Sequence, residues 1–252
     1  MLTKCDQHHK KQKGTTVTIR AIAWDIDGTL VDSEPLHHEA LVTVCQRWQV
    51  DLSDVPNDRF NGVHMPDIWL ALAERMPLTL TEQMWNDTII DYYAAKCSTL
   101  EPTPGAIEAM YYFDERGIRQ VCVSNSGRAI VDANIRALGI QERLVFSISL
   151  DDVRHGKPDP EPYATACARL DLRPRQVLAV EDSLAGLRSA RAAGLLTAFY
   201  SPRNERPVDA DVVVTDLRQL PEIARGFTVG RYPVSAGGQE HHRASVADRS
   251  DS

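Results

Sequence analysis

Asp25 and Asp27 stand two residues apart where an apolar run ends, in Trp24-Asp25-Ile26-Asp27-Gly28. In extended chain that spacing turns both carboxylates to one side. Glu181-Asp182 closes a second apolar run, Ser124-Asn125 a third, and Lys157 lies in a loop reading His155-Gly156-Lys157-Pro158-Asp159. Brought to one rim, these groups suit a phosphate monoester. Carboxylates grouped this tightly raise one another's pKa unless a cation neutralises them, and all-oxygen ligation by few protein groups is what Mg²⁺ prefers. One Asp can attack phosphorus and form an aspartyl-phosphate. A second carboxyl two residues on can protonate the leaving oxygen and then deprotonate the attacking water. Ser124 can hold a phosphoryl oxygen, and Lys157 supplies fixed positive charge. Singly, each residue has an ordinary explanation: Asp-Gly as a turn, Glu181-Asp182 as acids favourable to a helix N-terminus, Lys157 as a surface cation.

The elements that must position them follow from periodicity. Strands are expected over Val17–Trp24, Arg119–Val123, Leu144–Leu150, Gln176–Val180, Leu196–Tyr200 and Asp211–Val214. Helices are expected over Gly105–Arg116, Arg128–Leu138, Pro160–Leu170 and Ser183–Ala193. Several strands are near-continuous apolar runs, as parallel strands covered on both faces should be. The alternation predicts an α/β fold, a Rossmann-like doubly wound parallel sheet. In such a sheet ligands bind beyond the carboxyl ends of the strands, where the residues above fall. Residues 34–100 break the rhythm. They hold no good strand but show helical spacing over Leu36–Trp48, Pro66–Arg75 and Thr81–Cys97, with Trp48, Trp69 and Trp85 as expected bundle core. They read as a helical insertion, and the core is expected to comprise 17–33 and 101–225. The ends, 1–16 and 226–252, read as disordered tails, with His8-His9 and His241-His242 as solvated residues rather than metal ligands.

Composition bounds the function. The 252 residues carry 28 Lys+Arg against 35 Asp+Glu, a net charge of -7, with 43% hydrophobic residues, so a sizeable core can form. The acidic balance argues against sequence-independent nucleic-acid binding. No window approaches 18 uninterrupted apolar residues, which excludes a helical membrane span. The polar start has no apolar stretch behind it and reads as no secretory signal. Cys5, Cys45, Cys97, Cys122 and Cys167 are odd in number and form no CxxC pair. That fits reduced thiols in a cytoplasm.

Asp25-Ile26-Asp27-Gly28-Thr29-Leu30 resembles the DxDGT(L/V) signature of the haloacid dehalogenase superfamily. The resemblance extends in order through Ser124, the GKPDP loop with Lys157, and Glu181-Asp182 opening SLAGLRSARAAG, and it covers roughly residues 17–222. DGTLVDSE with VEDSLAG is similar to the branch of phosphoglycolate phosphatases, sugar-phosphate phosphatases and β-phosphoglucomutases. The resemblance implies Asp25 as nucleophile and Asp27 as acid/base, its backbone carbonyl also touching Mg²⁺. It implies Asp182 as metal ligand with Glu181 beside it, directly or through water. Ser124, flanked by Asn125, is implied to bind phosphate with the Gly28-Thr29 turn, and Lys157 to neutralise charge. The insertion at 34–100 is implied to be a mobile helical cap that excludes water.

Asp27 sets the chain apart from true dehalogenases, which lack a second Asp. Mutases of this branch carry an arginine in a GVSR-like cap loop that grips a second phosphate. Here Asn61-Gly62-Val63-His64-Met65-Pro66 puts Met65 at that place, which favours a phosphatase, with a phosphomutase as the alternative. His37, Gly62, His64 and Asp67 are the cap positions expected near substrate. The expected partner is a small phosphorylated metabolite, a sugar phosphate or sugar-acid phosphate. The C-terminal part, TAFYSPRNERP with TDLRQLPEI, looks most like a bacterial phosphatase of 6-phosphogluconate type. A monomer or homodimer is expected, with no nucleic-acid or membrane partner. Two other classes stay open: a non-catalytic phosphate binder, which the complete set of Asp25, Asp27, Lys157 and Asp182 disfavours, and a receiver-like phospho-acceptor, which leaves Asp27-Gly28-Thr29 and the insertion unexplained.

Overall fold

The computed structural model describes residues 18–56, 59–60, 63–207 and 209–226. Six parallel strands form one sheet: β1 (Ala21–Trp24), β2 (Arg119–Val123), β3 (Phe146–Ile148), β4 (Val177–Glu181), β5 (Leu196–Tyr200) and β6 (Val212–Val214). Their order is β3-β2-β1-β4-β5-β6. Chain order therefore reverses between β1 and β4, and a crevice opens there beyond the strands' carboxyl ends.

Alternation along each strand divides the apolar residues between two layers. Ile22, Trp24, Cys122, Leu178 and Val180 pack with Met110 and Phe113 of α4 (Ala106–Asp114), Val131 and Ile135 of α5 (Arg128–Leu138), and Leu220. Ala21, Ala23, Val121, Val123 and Ala179 pack on the other face with Tyr163 and Ala166 of α6 (Glu161–Leu170) and Ala190 of α7 (Leu184–Ala192). A last helix, α8 (Leu220–Gly226), closes the first layer beyond a 3₁₀ turn at Leu217–Gln219.

Between β1 and α4 lie α1 (Glu34–Arg47), α2 (Met65–Leu72) and α3 (Glu82–Lys96). They bury Leu36, Leu41, Val44, Ile68, Leu72, Trp85, Ile89 and Tyr93 in a separate cluster, and that cluster reaches Ile130 and Ala133 of α5. The expected aromatic core is seen in the tilted Trp69–Trp85 pair, with ring centroids 5.5 Å apart. The chain leaves and re-enters the sheet side by side, for Val31 bridges Pro102 and Thr103 N–H donates to Leu30 C=O at 2.8 Å.

The larger departures from expectation are two strand bounds and one unexpected helix, each with a physical reason. β1 starts at Ala21 because its neighbours begin at Arg119 and Val177, both in register with Ala21. β3 shortens to three residues because it lies at the sheet edge with β2 alone beside it; Ser149 then caps a 3₁₀ turn through Asp152. Pro221 at the start of α8 masks a helix of only seven residues. Among the described residues no helix is long and apolar enough to cross a membrane. The expected tails, apart from Gly226 at the end of α8, and Gly62 lie outside the described residues.

Candidate active site

The tight turn after β1 begins the site. Asp25 N–H extends the ladder to Val180 C=O at 3.0 Å, after which Leu30 and Val31 N–H fold back on Ile26 C=O. Gly28 takes φ +86°, and a Cβ there would stand 2.0 Å from Asp182 Oδ2. Only glycine allows both that backbone angle and the approach of the two strand ends.

Asp25, Glu181 and Asp182 offer carboxylate oxygens within 4.8 Å of one another. The ends of β1 and β4 place them, and α7 holds the second strand end because Ser183 caps it by accepting from Gly186 N–H at 3.0 Å. Lys157 reaches in from the loop before α6. Its Nζ donates to Asp25 Oδ1 at 2.6 Å and Val123 C=O at 2.8 Å, and pairs with Glu181 Oε1 at 2.6 Å. The Tyr163 hydroxyl also donates to Glu181 Oε1, and Thr29 Oγ1 donates to Asp182 Oδ1 at 3.3 Å. Asp25 Oδ2 is buried without a partner.

Three carboxylates thus face one ammonium in a buried space. Burial opposes the Lys157 charge, but Asp25 and Glu181 overcome it and hold the ammonium above its usual range. Burial, helped by the neighbouring carboxylates, pushes Asp25 well up despite Lys157. Asp182 is pushed up to about 7, by burial first and by Glu181 next. Such a cluster is short of positive charge. The orphaned Oδ2 and the all-carboxylate donor set fit a hard divalent cation.

The Asp27 carboxylate is not part of that group. Ser33 Oγ at 2.6 Å and Asn134 Nδ2 at 3.0 Å donate to Oδ1, and Ser124 Oγ at 3.1 Å and Ser126 Oγ at 2.9 Å donate to Oδ2. His37 Nε2 stands 3.6 Å from Oδ1, its ring stacked on Tyr93. Burial raises this carboxyl, yet His37, Ser33 and Ser126 outweigh it and hold it below the usual carboxylate range.

Of the expected site residues, Asp25, Lys157, Glu181, Asp182, Gly28 and Thr29 come together around one point, and Asp27, Ser124 and His37 around a neighbouring one. As a metal contact Asp27 has its backbone carbonyl to offer, since its side chain is engaged elsewhere. The Asn125 amide holds the Lys157 loop: its Oδ1 accepts from Lys157 N–H at 2.7 Å and its Nδ2 donates to Lys157 C=O at 3.0 Å. His64 is the half-buried residue at the start of α2, with Asp67 in the first turn; neither belongs to the two groups above.

Ser33, Ser126, Tyr93, Asn134 and Tyr163 were not singled out from sequence. Ser126 carried a signal, a second hydroxyl on the Ser124 loop. Asn134 carried another, a polar residue within the buried stripe Ile130-Val131-Asn134-Ile135 of α5. A second set of potential ligands, His155, Asp159 and Glu161, lies outside the cluster. Their carboxylates are used locally, accepting from the backbone N–H groups of Arg154, His155 and Glu161.

A hydrolase family model, haloacid dehalogenase-like hydrolase, matches residues 19–194. The chain is 27% identical over 208 residues to validoxylamine A 7'-phosphate phosphatase of Streptomyces hygroscopicus subsp. limoneus, covering 78% of this chain and 93% of that one. It is 28% identical over 215 residues to N-acetylmuramic acid 6-phosphate phosphatase of Pseudomonas aeruginosa, covering 81% and 94%. Among solved structures it is similar to CbbY from Rhodobacter sphaeroides in complex with phosphate, with a TM-score of 0.73 and 26% identity over 81% of this chain and 96% of that one.

Proposed function

The chain belongs to the haloacid dehalogenase-like hydrolases, and from that premise we propose that it hydrolyses a small phosphorylated metabolite through an aspartyl-phosphate on Asp25. The chain is a phosphoric monoester hydrolase; the residue roles and the substrate are our reading. Asp25 carries it: buried, held through Oδ1 by Lys157, with Oδ2 unpartnered at the strand end.

In this reading Asp25 Oδ2 forms the bond to phosphorus as the bond to the leaving oxygen breaks, and Asp27 gives that oxygen its proton. Water then attacks phosphorus, Asp27 takes a proton from the water, and the Asp25–phosphorus bond breaks. Lys157 offsets charge on the phosphoryl oxygens, and Ser124 binds one of them. For the acid role Asp27 has to be relieved of the donors that keep it ionised. A bound phosphoryl group needs the Ser124 hydroxyl that Asp27 holds in this structure, which removes one of those donors.

Asp25 and Asp182, with Glu181 alongside and the Asp27 carbonyl, would hold Mg²⁺. When bound, such an ion screens the carboxylate nucleophile from the anionic phosphoryl group. The relatives named above are, by their names, phosphatases of validoxylamine A 7'-phosphate and of N-acetylmuramic acid 6-phosphate, and we assign this chain a sugar phosphate or sugar-acid phosphate. We assign it a single phosphate, because Met65 stands where the mutases carry their arginine. We place the protein in the cytoplasm, since Cys45, Cys97, Cys122 and Cys167 are buried free thiols.

Phosphate release from 6-phosphogluconate, hexose phosphates, phosphoglycolate and N-acetylmuramic acid 6-phosphate, with Mg²⁺ and with EDTA, tests the proposal. Release from one or a few compounds, abolished by EDTA, is expected. Conversion of β-glucose 1-phosphate to glucose 6-phosphate without release would assign a mutase instead, and silence on both would leave a phosphate binder.

A further inference from the structure

Asn134 is fully buried, on the face of α5 that otherwise presents Ile130, Val131, Ala133 and Ile135. A buried amide on an apolar stripe costs stability unless both of its ends are bonded. Here each end meets a functional partner. Oδ1 accepts from the Tyr93 hydroxyl at 2.7 Å, and Nδ2 donates to Asp27 Oδ1 at 3.0 Å. Tyr93 belongs to α3 of the insertion and is itself fully buried, so the contact ties α3 to α5. The direction of the bonds is fixed by charge. A carboxylate can only accept, so the amide nitrogen must face Asp27, and the hydroxyl must then donate to the amide oxygen. Tyr93 also stacks on His37 at 4.5 Å between ring centroids, which seats the imidazole beside the same Asp27 oxygen.

We propose that Asn134, oriented by the Tyr93 hydroxyl, is a positioning residue that sets the Asp27 carboxylate and ties its placement to the seating of α3. The inference rests on the reading of Asp27 as acid/base. The proton transfer itself stays with Asp27. α3 bears on Asp27 because the Tyr93 hydroxyl is the second anchor of the Asn134 amide.

Two variants and their combination separate positioning from mere support. Asn134→Leu removes both bonds with little change of volume, and Tyr93→Phe removes one oxygen. With the best substrate of the phosphate-release panel, Asn134→Leu is expected to lower kcat about tenfold with KM within roughly twofold, part of the 10²–10⁴ that a positioned acid/base supplies. Tyr93→Phe should lower kcat severalfold, and the double variant should lose less than the product of the two. Wild-type kcat in a folded Asn134→Leu would overturn the proposal. Fully multiplicative losses in the double variant, or a rise in KM alone, would overturn it too. If Asn134→Leu fails to fold, wild-type kcat in Tyr93→Phe overturns the proposal and a lowered kcat at unchanged KM supports it. Full turnover by Asp27→Asn would sink the reading of the site instead, independently of Asn134.

Discussion

Asp25, Glu181 and Asp182 share one lysine, and that imbalance makes a prediction about pH. Asp182 has its folded pKa raised to about 7, and Asp25 is raised as well. Between the ordinary carboxylate range and pH 7 the folded protein therefore holds protons that the unfolded chain has released. Stability must fall as pH rises through that window. Asp27 shifts the other way, but its window lies below the ordinary carboxylate pKa and does not overlap. In EDTA the protein should melt several degrees lower at pH 8 than at pH 5, and Mg²⁺ should restore stability at pH 8. A melting temperature independent of pH in EDTA would contradict the charge account. These acids were legible because each ends an apolar run within a few residues of a recognisable turn. Ser33, Ser126 and Asn134 around Asp27 were not, since Asn134 lies 107 residues away in sequence and only the packing of α5 brings it there.

At the scale of elements, strand ends are the working parts. Glu181 depends on the first turn of α7 passing close by: a Cβ on Gly186 would lie 1.9–2.1 Å from its carboxylate atoms. In an open helix Gly→Ala is worth roughly 1 kcal/mol in favour of Ala. Here the clash wins, and Gly186→Ala should destabilise by about 1–3 kcal/mol and lower kcat by displacing Glu181 from Lys157. Denaturant midpoints and steady-state kinetics check both, and a stabilised, fully active variant would show that the carboxylate is free to move. β2, β5 and α5 follow the expected bounds residue for residue, since apolar runs flanked by polar turns leave little freedom. The bounds of β1 and β3 depend on which neighbours each strand meets, and strand order cannot be read from the run itself. Loop contacts were similarly hidden: nothing in Ser124-Asn125 announces that the Asn125 amide would bind the backbone of Lys157.

For the molecule as a whole, α1–α3 seat against α5 beside the site. Ile130 and Ala133 of α5 lie in the same apolar cluster as Trp85, Ile89 and Tyr93, so α5 forms part of the seat for the inserted helices while Asn134 on the same helix holds Asp27. Ile130→Ala should lower the melting temperature by several degrees, from a loss of about 2–4 kcal/mol. It should also raise KM more than it lowers kcat, as the inserted helices seat less firmly. An unchanged KM in a destabilised variant would confine Ile130 to stability. The presence of an inserted helical unit was legible from its change of period, whereas its seating on α5 arises from side chains that read equally well as ordinary core. All of these parts converge on Asp25 Oδ2, the buried atom left without a partner. The most direct test is intact mass and peptide mapping of protein quenched in acid during turnover of the panel's best substrate with Mg²⁺, alongside Asp25→Asn. A phosphoryl group on Asp25 in the wild type, with neither adduct nor turnover in a folded Asp25→Asn, is the predicted result. Undiminished phosphate release by Asp25→Asn would contradict it.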